Sequence, residues 1–248
     1  SHADSEQVHG RIIAIISPHA GYFYSGRIAA SAYKQIQAAH YDNVLVIAPS
    51  HFDYFEGCSI YCGKYQTPIG MVSTNIDIAE SIVSRSRAIT NSSRGHFEEH
   101  SLEVQIPFLQ ICLGDFKLIP VVLGNQDYLT AEELSNAVYS VLSEPGFRSQ
   151  STLIVGSSDL SHYHPAVIAE KMDSTLIKDM EDFDAKRLFD DIKSGRSEAC
   201  GYGAIISTML IAKRLGASAV KVLAHGNSGE TTHDYRSVVG YLSSIFYN

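Results

Sequence analysis

Two stretches of this chain share one design, and that design restricts the fold more than any other feature. Ile12 to Gly26 reads IIAIISPHAGYFYSG, and Asn43 to His51 reads NVLVIAPSH. In each, a continuous apolar run rich in β-branched residues stops at a proline, and a histidine follows within two residues: Pro18 then His19, Pro49 then His51. Runs of this length, closed by Pro and Gly, read as strands buried on both faces, as in a parallel sheet covered by helices. Proline has no N–H for a sheet ladder, so each strand ends there and the chain turns outward. Open α/β sheets keep their binding crevices at the carboxyl ends of their strands. His19 and His51 are thereby delivered to one crevice. A lone histidine after a strand is an ordinary polar loop residue; the repeated construction is what points to a shared site.

The remaining elements alternate in the same way. Arg27 to Ala39 carries Ile28, Ala32, Tyr33 and Ile36 at helical spacing, and Val44 to Ala48 is the second strand. A third strand is expected over Cys58 to Cys62, leading into a hairpin through Gly63 and Lys64. A helix over Thr74 to Arg87 follows, capped by Thr74 or Asn75. Asn91 to His100 reads as a polar loop. The next helix has Ser101 as its expected cap and Glu103 in its first turn, and Pro107 predicts a kink or an early break. Lys117 to Leu123 and Ser151 to Gly156 are further buried strands, separated by a helix from Ala131 to Leu142. Helices are expected over Ala166 to Asp182, Asp184 to Lys193 and Ala204 to Leu215. Strands are expected over Ala219 to Ala224 and Val238 to Phe246, with a loop from His225 to Arg236 between them. This order predicts an α/β fold, a three-layer sandwich with a central, largely parallel or mixed sheet. No linker divides it: residues 11–248 read as a single domain, and residues 1–10 as a flexible lead-in.

Composition excludes several classes of function. A formal charge of -8 with no basic run argues against a nucleic-acid surface, which needs a positive patch. No apolar stretch approaches the roughly 18 residues of a membrane span. The opening SHADSEQVHG has no apolar segment of a signal peptide, so a cytoplasmic setting is expected. The four cysteines, Cys58, Cys62, Cys112 and Cys200, are too few and too irregular for a disulfide framework. On a strand, Cys58 and Cys62 would stand about 13 Å apart, too far to share a metal. With Cys112 they are expected to be unreactive core residues. Phosphate-loop, dinucleotide and serine-nucleophile fingerprints are all missing.

The chemistry-bearing residues gather at strand ends. His19 and His51 are joined by Asp159 and His162, which follow the strand ending at Gly156, and by His100 at a helix mouth among acids. Locally, His100 reads as well as a capping histidine as it does as a functional one. Asp159 and His162 are close enough in a turn to hydrogen-bond, which would set the imidazole tautomer and raise its basicity. Cys200 precedes a helix, where the dipole favours a thiolate. Two imidazoles and a thiolate make a transition-metal site, and the further His and Asp residues suit acid–base work.

At these residues the sequence resembles the Memo family, of the kind that accompanies AMMECR-type and radical-SAM proteins, and through it the LigB-type class III extradiol dioxygenases. The segments that carry the resemblance are Ser17 to Tyr22 with Ser25-Gly26, Ala48 to His51, Glu99 to Phe108, Ser157 to His162, Ala199 to Ala204, and Ser228 to Glu230 through Ser237 to Tyr241. It implies a LigB-like fold with His19, His51 and Cys200 as metal ligands. It also implies His162 as the acid–base histidine with Asp159 beside it, and His100 as a second substrate-facing histidine. Dioxygenases of this fold hold iron with two His and a Glu; here Cys200 stands at the Glu position. The implied cofactor is a transition metal, iron first, with copper and zinc favoured by a softer thiolate. The implied function is a metal-dependent oxidoreductase acting on a small phenolic or otherwise aromatic substrate. The alternative is a non-catalytic module that reuses the crevice to hold a peptide or protein. AMMECR-type and radical-SAM proteins are the partners the resemblance suggests, with no nucleic acid and no membrane.

Overall fold

The computed structural model describes residues 10–37 and 39–248; the expected lead-in over residues 1–9 lies outside them. In chain order the first elements are β1 (Ile12–Ser17), α1 (Tyr22–Gln35), β2 (Asn43–Pro49), β3 (Cys58–Ile60), β4 (Lys64–Thr67), β5 (Gly70–Ser73), α2 (Ile76–Val83) and β6 (Ile89–Asn91). Next come α3 (His100–Glu103), α4 (Gln105–Leu113), β7 (Lys117–Leu123), α5 (Tyr128–Leu142), β8 (Thr152–Ser157) and β9 (His162–His164). The chain closes with α6 (Ala166–Glu181), α7 (Ala185–Lys193), α8 (Tyr202–Arg214), β10 (Ala219–Asn227), α9 (Gly229–Thr232) and β11 (Val238–Tyr247).

Four parallel strands, in the order β1-β8-β2-β7, form the middle of a nine-stranded mixed sheet. Ile154 of β8 lies between Ala14 of β1 and Leu45 of β2, so the Pro-terminated strands flank β8 and end level with it. Antiparallel β11 and β10 extend the β1 edge, while β3, antiparallel to β7, and β6 extend the other.

The apolar runs are continuous because each strand feeds two cores. Leu45 and Ile47 of β2 face one apolar cluster with Ile78 of α2, Leu134 of α5 and Ile205 of α8. Val44, Val46 and Ala48 alternate to the other face, against Ala32 and Tyr33 of α1 and Ile106 of α4. Side chains of a strand alternate between faces, so a strand covered on both must be apolar at every position. The expected α/β sandwich is present.

Several boundaries differ from the sequence reading. The helix after β1 starts at Tyr22, five residues before the expected Arg27. The third strand stops at Ile60, and the hairpin belongs to β4 and β5. The break expected from Pro107 falls at Val104, between α3 and α4. Pro107 then sits in the first turn of α4, where a missing N–H costs no helical bond. The cap of α3 is Glu99, whose carboxylate accepts from the Ser101 N–H, and not Ser101 itself. β6 and β9 are strands that the sequence does not announce, because three residues carry no periodicity. The expected 225–236 loop begins inside β10 and holds the short helix α9. Among the described residues no helix is long and apolar enough to cross a membrane.

One close approach fixes the turn that carries His162. The Leu160 N–H donates to the Gly240 carbonyl, and the Gly240 N–H to the Ser161 carbonyl, each at 2.8 Å. The buried Asp173 carboxylate lies under Gly240 and accepts from the Ser161 N–H at 3.1 Å and from His225 Nε2 at 3.3 Å. A Cβ on residue 240 would stand 2.0 Å from Asp173 Oδ2. Gly240→Ala should therefore push the carboxylate off both partners and destabilise the protein by about 1–3 kcal/mol, the usual cost of overpacking. Urea unfolding measures this; an unchanged midpoint would show that the Asp173 site yields freely.

Candidate metal centre

Each of the three proposed ligands is placed by a different device. His19 follows β1 and is 2% exposed. Its Nδ1 lies 2.9 Å from Ser157 Oγ at the end of β8. Ser157 has one hydroxyl proton, and it goes to the Ser101 carbonyl at 2.6 Å. Gln105 Nε2 donates to the same oxygen at 2.8 Å. Ser157 can only accept from His19, so Nδ1 carries the proton and Nε2 keeps its lone pair. The amide of Gln105 is oriented in turn, since its Nε2 donates to the Pro18 carbonyl at 3.0 Å and its Oε1 accepts from Tyr33 at 2.6 Å.

His51 is oriented by a carboxylate. Its Nδ1 donates to Glu99 Oε1 at 2.9 Å, and its backbone N–H donates to Glu99 Oε2. Glu99 is buried, which opposes its charge. The hydrogen bonds from His51 and from the Ser101 N–H outweigh that and lower its pKa to about 2. An ionised acceptor on Nδ1 leaves Nε2 of His51 as the free donor atom, the arrangement common behind metal-bound histidines.

Cys200 reaches the same point from the loop before α8, with Sγ 3.1 Å from His19 Nε2. Ligand atoms of His19, His51 and Cys200 all lie within 4.8 Å of one another, so the three expected ligands converge. Two bonds of about 2.0–2.3 Å to one metal reach across up to about 4.6 Å, and the 3.1 Å between Cys200 Sγ and His19 Nε2 falls well inside that span. The chemistry of the donors fits a metal too. Burial, reinforced by the charges of His51 and His100, holds His19 well below the ordinary histidine pKa, in its neutral ligating form. Burial, and then the neighbouring Asp159 charge, push the Cys200 thiol up. The thiolate expected from the helix dipole is thus not stabilised by the protein alone; a bound cation would do so. His51, Glu99 and His100 form a second group within ligand reach, but Glu99 already accepts three hydrogen bonds.

The other sequence candidates surround this centre. His100 is half-exposed, its ring centroid 5.0 Å from that of His51 and 5.6 Å from that of His19. His162 donates from Nδ1 to the Leu160 carbonyl at 2.7 Å, which leaves its Nε2 unprotonated as well. The expected Asp159–His162 hydrogen bond is absent. Asp159 Oδ1 accepts instead from the backbone N–H groups of His19, at 2.8 Å, and Ala20, at 3.2 Å. Those donors lost their ladder partners where Pro18 ended the strand, and a buried carboxylate is the group that satisfies them. Burial raises the Asp159 pKa to about 6 despite these bonds. Asp159 therefore builds the His19 turn and touches His162 only through its charge. Exposed aromatic rings flank the centre: Phe52 lies 6.5 Å from the His100 ring and Tyr163 lies 5.7 Å from the His162 ring.

Sequence reasoning missed the residues that orient the ligands. Glu99 lies beside His100 among acids, and Ser157 and Gln105 lie inside segments that carry the family resemblance, but their residue types and spacing alone give them no role. The expectation that three cysteines sit in the core holds for Cys58, fully buried with its thiol pushed up to about 12. Cys62 and Cys112 are only partly buried, at the margins of the two apolar clusters.

The family model described as "Memo-like protein" matches residues 3–245. A MEMO1 family protein of Methanocaldococcus jannaschii is 36% identical over 252 residues, 97% of this chain and 87% of that protein. One from Thermoplasma volcanium is 37% identical, covering 98% of this chain and 88% of its own length. One from Sulfolobus acidocaldarius is 38% identical over 93% of this chain and 81% of that protein. The crystal structure of an uncharacterized protein of Escherichia coli K12 shares the fold, with a TM-score of 0.55 at 13% identity, over 95% of this chain and 99% of that one.

The hydrogen-bond logic around His19 is testable. Ser157→Ala removes the acceptor that holds the proton on Nδ1, and metal affinity should fall about 10–100-fold, as when other ligand-orienting partners are lost. Competition with a chromogenic chelator measures the change; wild-type affinity in the variant would show that the tautomer is set elsewhere.

Proposed function

The chain belongs to the Memo family, and from that premise we propose that it is a metal-dependent oxidoreductase acting on a small phenolic or otherwise aromatic molecule. The observation that carries this reading is the convergence of three free donor atoms, Nε2 of His19, Nε2 of His51 and Sγ of Cys200. Each imidazole has its other nitrogen occupied by a fixed partner. A module that merely holds a peptide has no use for two tautomers locked towards one thiol.

A transition metal held there would supply Lewis acidity and, as iron or copper, electron transfer. The resemblance to extradiol dioxygenases favours iron, and the thiolate makes copper the next candidate. The protein's own contribution is binding and proton handling. His162 can accept a phenolic proton at Nε2 because Nδ1 is committed to Leu160. His100 stands on the solvent side of the ligand histidines, where it can meet the substrate's polar end. The rings of Phe52 and Tyr163 offer apolar faces for a flat aromatic body.

Anaerobic purification followed by metal analysis should find stoichiometric metal in the wild type. It should be lost in His19→Ala, His51→Ala and Cys200→Ser. His162→Ala should keep the metal, while turnover of catechols, followed spectroscopically on admitting oxygen, falls by roughly 10²–10⁴, the usual contribution of a positioned base. A chain that binds no metal, or whose three ligand variants bind aromatic ligands as the wild type does, would establish the binding-module reading instead.

A further inference from the structure

Three arginines line one cavity at the end of the sheet opposite the metal centre. Arg11 precedes β1, Arg148 follows α5, and Arg214 is the last residue of α8. Thr152, the first residue of β8, lines the cavity too. β1 and β8 each have six residues, so the cavity and the metal centre are separated by about 20 Å of strand. The cavity has a volume of about 410 Å³, within the range of small-molecule sites.

Gathered like charges need an explanation, because they repel. The ordinary one is that the arginines serve helix ends: α5 and α8 both finish here. Two helix C-termini together carry about one negative charge, against three positive ones, so helix ends alone do not balance the arginines. Acidic side chains among the described residues do not make up the difference. None lines the cavity among the described residues, and Glu144, next to it in sequence, is paired with Arg85. Arg214 spends only Nε, on the neutral Ser135 hydroxyl at 3.0 Å. The side chains of Arg11 and Arg148 make no hydrogen bond or ion pair among the described residues. Thr152 is 7% exposed, and its hydroxyl has no hydrogen-bond partner.

We infer that this cavity binds a small phosphorylated organic molecule, its phosphate held by Arg11, Arg148 and Arg214. A phosphate monoester carries about -1.5 to -2 charges near neutral pH, more than the single charge of a carboxylate, which suits three gathered guanidinium groups. Guanidinium forks pair with phosphate oxygens through parallel hydrogen bonds. The organic part is called for by the rest of the wall, where Leu142 is apolar and Tyr139, 40% exposed, offers a ring for stacking. This site is independent of the metal centre and of the function proposed for it.

Calorimetric titration of the full chain at low salt, with adenosine monophosphate and with inorganic phosphate, tests the inference. Saturable binding of the nucleotide is expected, tighter than that of inorganic phosphate and weakened by added salt. Arg11→Ala and Arg148→Ala should each reduce nucleotide affinity roughly tenfold or more, the usual loss for a charged hydrogen bond. Among the described residues neither side chain has a hydrogen-bond or ion-pair partner to lose, so melting temperatures without ligand should match the wild type. His51→Ala should bind the nucleotide unchanged. Absence of saturable binding would overturn the inference. So would affinity that survives both arginine variants but is lost in His51→Ala, since the phosphate would then be on the metal centre. Inorganic phosphate binding as tightly as the nucleotide would overturn the organic part of the assignment.

Discussion

A single buried hydroxyl, Ser157 Oγ, joins the sheet to the candidate metal centre. It stands at the end of β8, between the two strands that stop at proline. A hydroxyl has one proton and two lone pairs, and here all three are used: it donates to Ser101 and accepts from Gln105 and His19. The same helix–turn–helix segment then grips both prolines. Gln105 donates to the Pro18 carbonyl, and the Ser101 hydroxyl donates to the Pro49 carbonyl at 2.8 Å. The strand ends, the ligand tautomers and the α3–α4 segment are thus parts of one buried network. In such a network any unmet polar group carries its full desolvation cost, so the partners are strongly specified.

Burial sorts the charges of the site. His19 is kept neutral, because an imidazolium there would have to leave water and face two other histidines. Glu99 keeps its charge in the same low-dielectric surroundings because three N–H groups point at it. Cys200 keeps its proton until something positive arrives. A neutral imidazole, an imidazole backed by a carboxylate and a thiol held protonated form a donor set whose missing charge is a cation. At the opposite end of the strands the imbalance is reversed: three guanidinium groups face a cavity that no acidic side chain lines among the described residues, and the missing charge is an anion.

Much of this was legible in the chain itself. The apolar runs at Ile12–Ile16, Val44–Ala48 and Lys117–Leu123 announce strands covered on both faces, because only such strands must be apolar at consecutive positions. Pro18 and Pro49 mark where two of them stop, whereas Pro120 sits inside β7, which runs on to Leu123. His19 and His51 could be named from their positions after such stops, Cys200 from its place before a helix, and all three from the family resemblance; they converge. The short strands β6 and β9 were not legible, since three residues are too few to show a period.

What the sequence determined by itself is the alternation of buried strands and helices, and the delivery of histidines to the strand ends, because these follow from local patterns of side chains along the backbone. What only the tertiary structure decided is which polar atoms meet. Ser157 lies 138 residues from His19 in sequence, Gln105 lies 52 from Ser157, and Glu99 lies 48 from His51. Asp159 was expected beside His162 on the strength of three residues' separation, yet it bonds the backbone of His19, 140 residues away. Hydrogen bonds in a core are assigned by which buried groups lack partners once the sheet has formed, and that demand is created by the fold as a whole. Arg11, Arg148 and Arg214 likewise share one cavity only because β1 and β8 pair side by side, with α8 packed on both strands and α5 packed on α8.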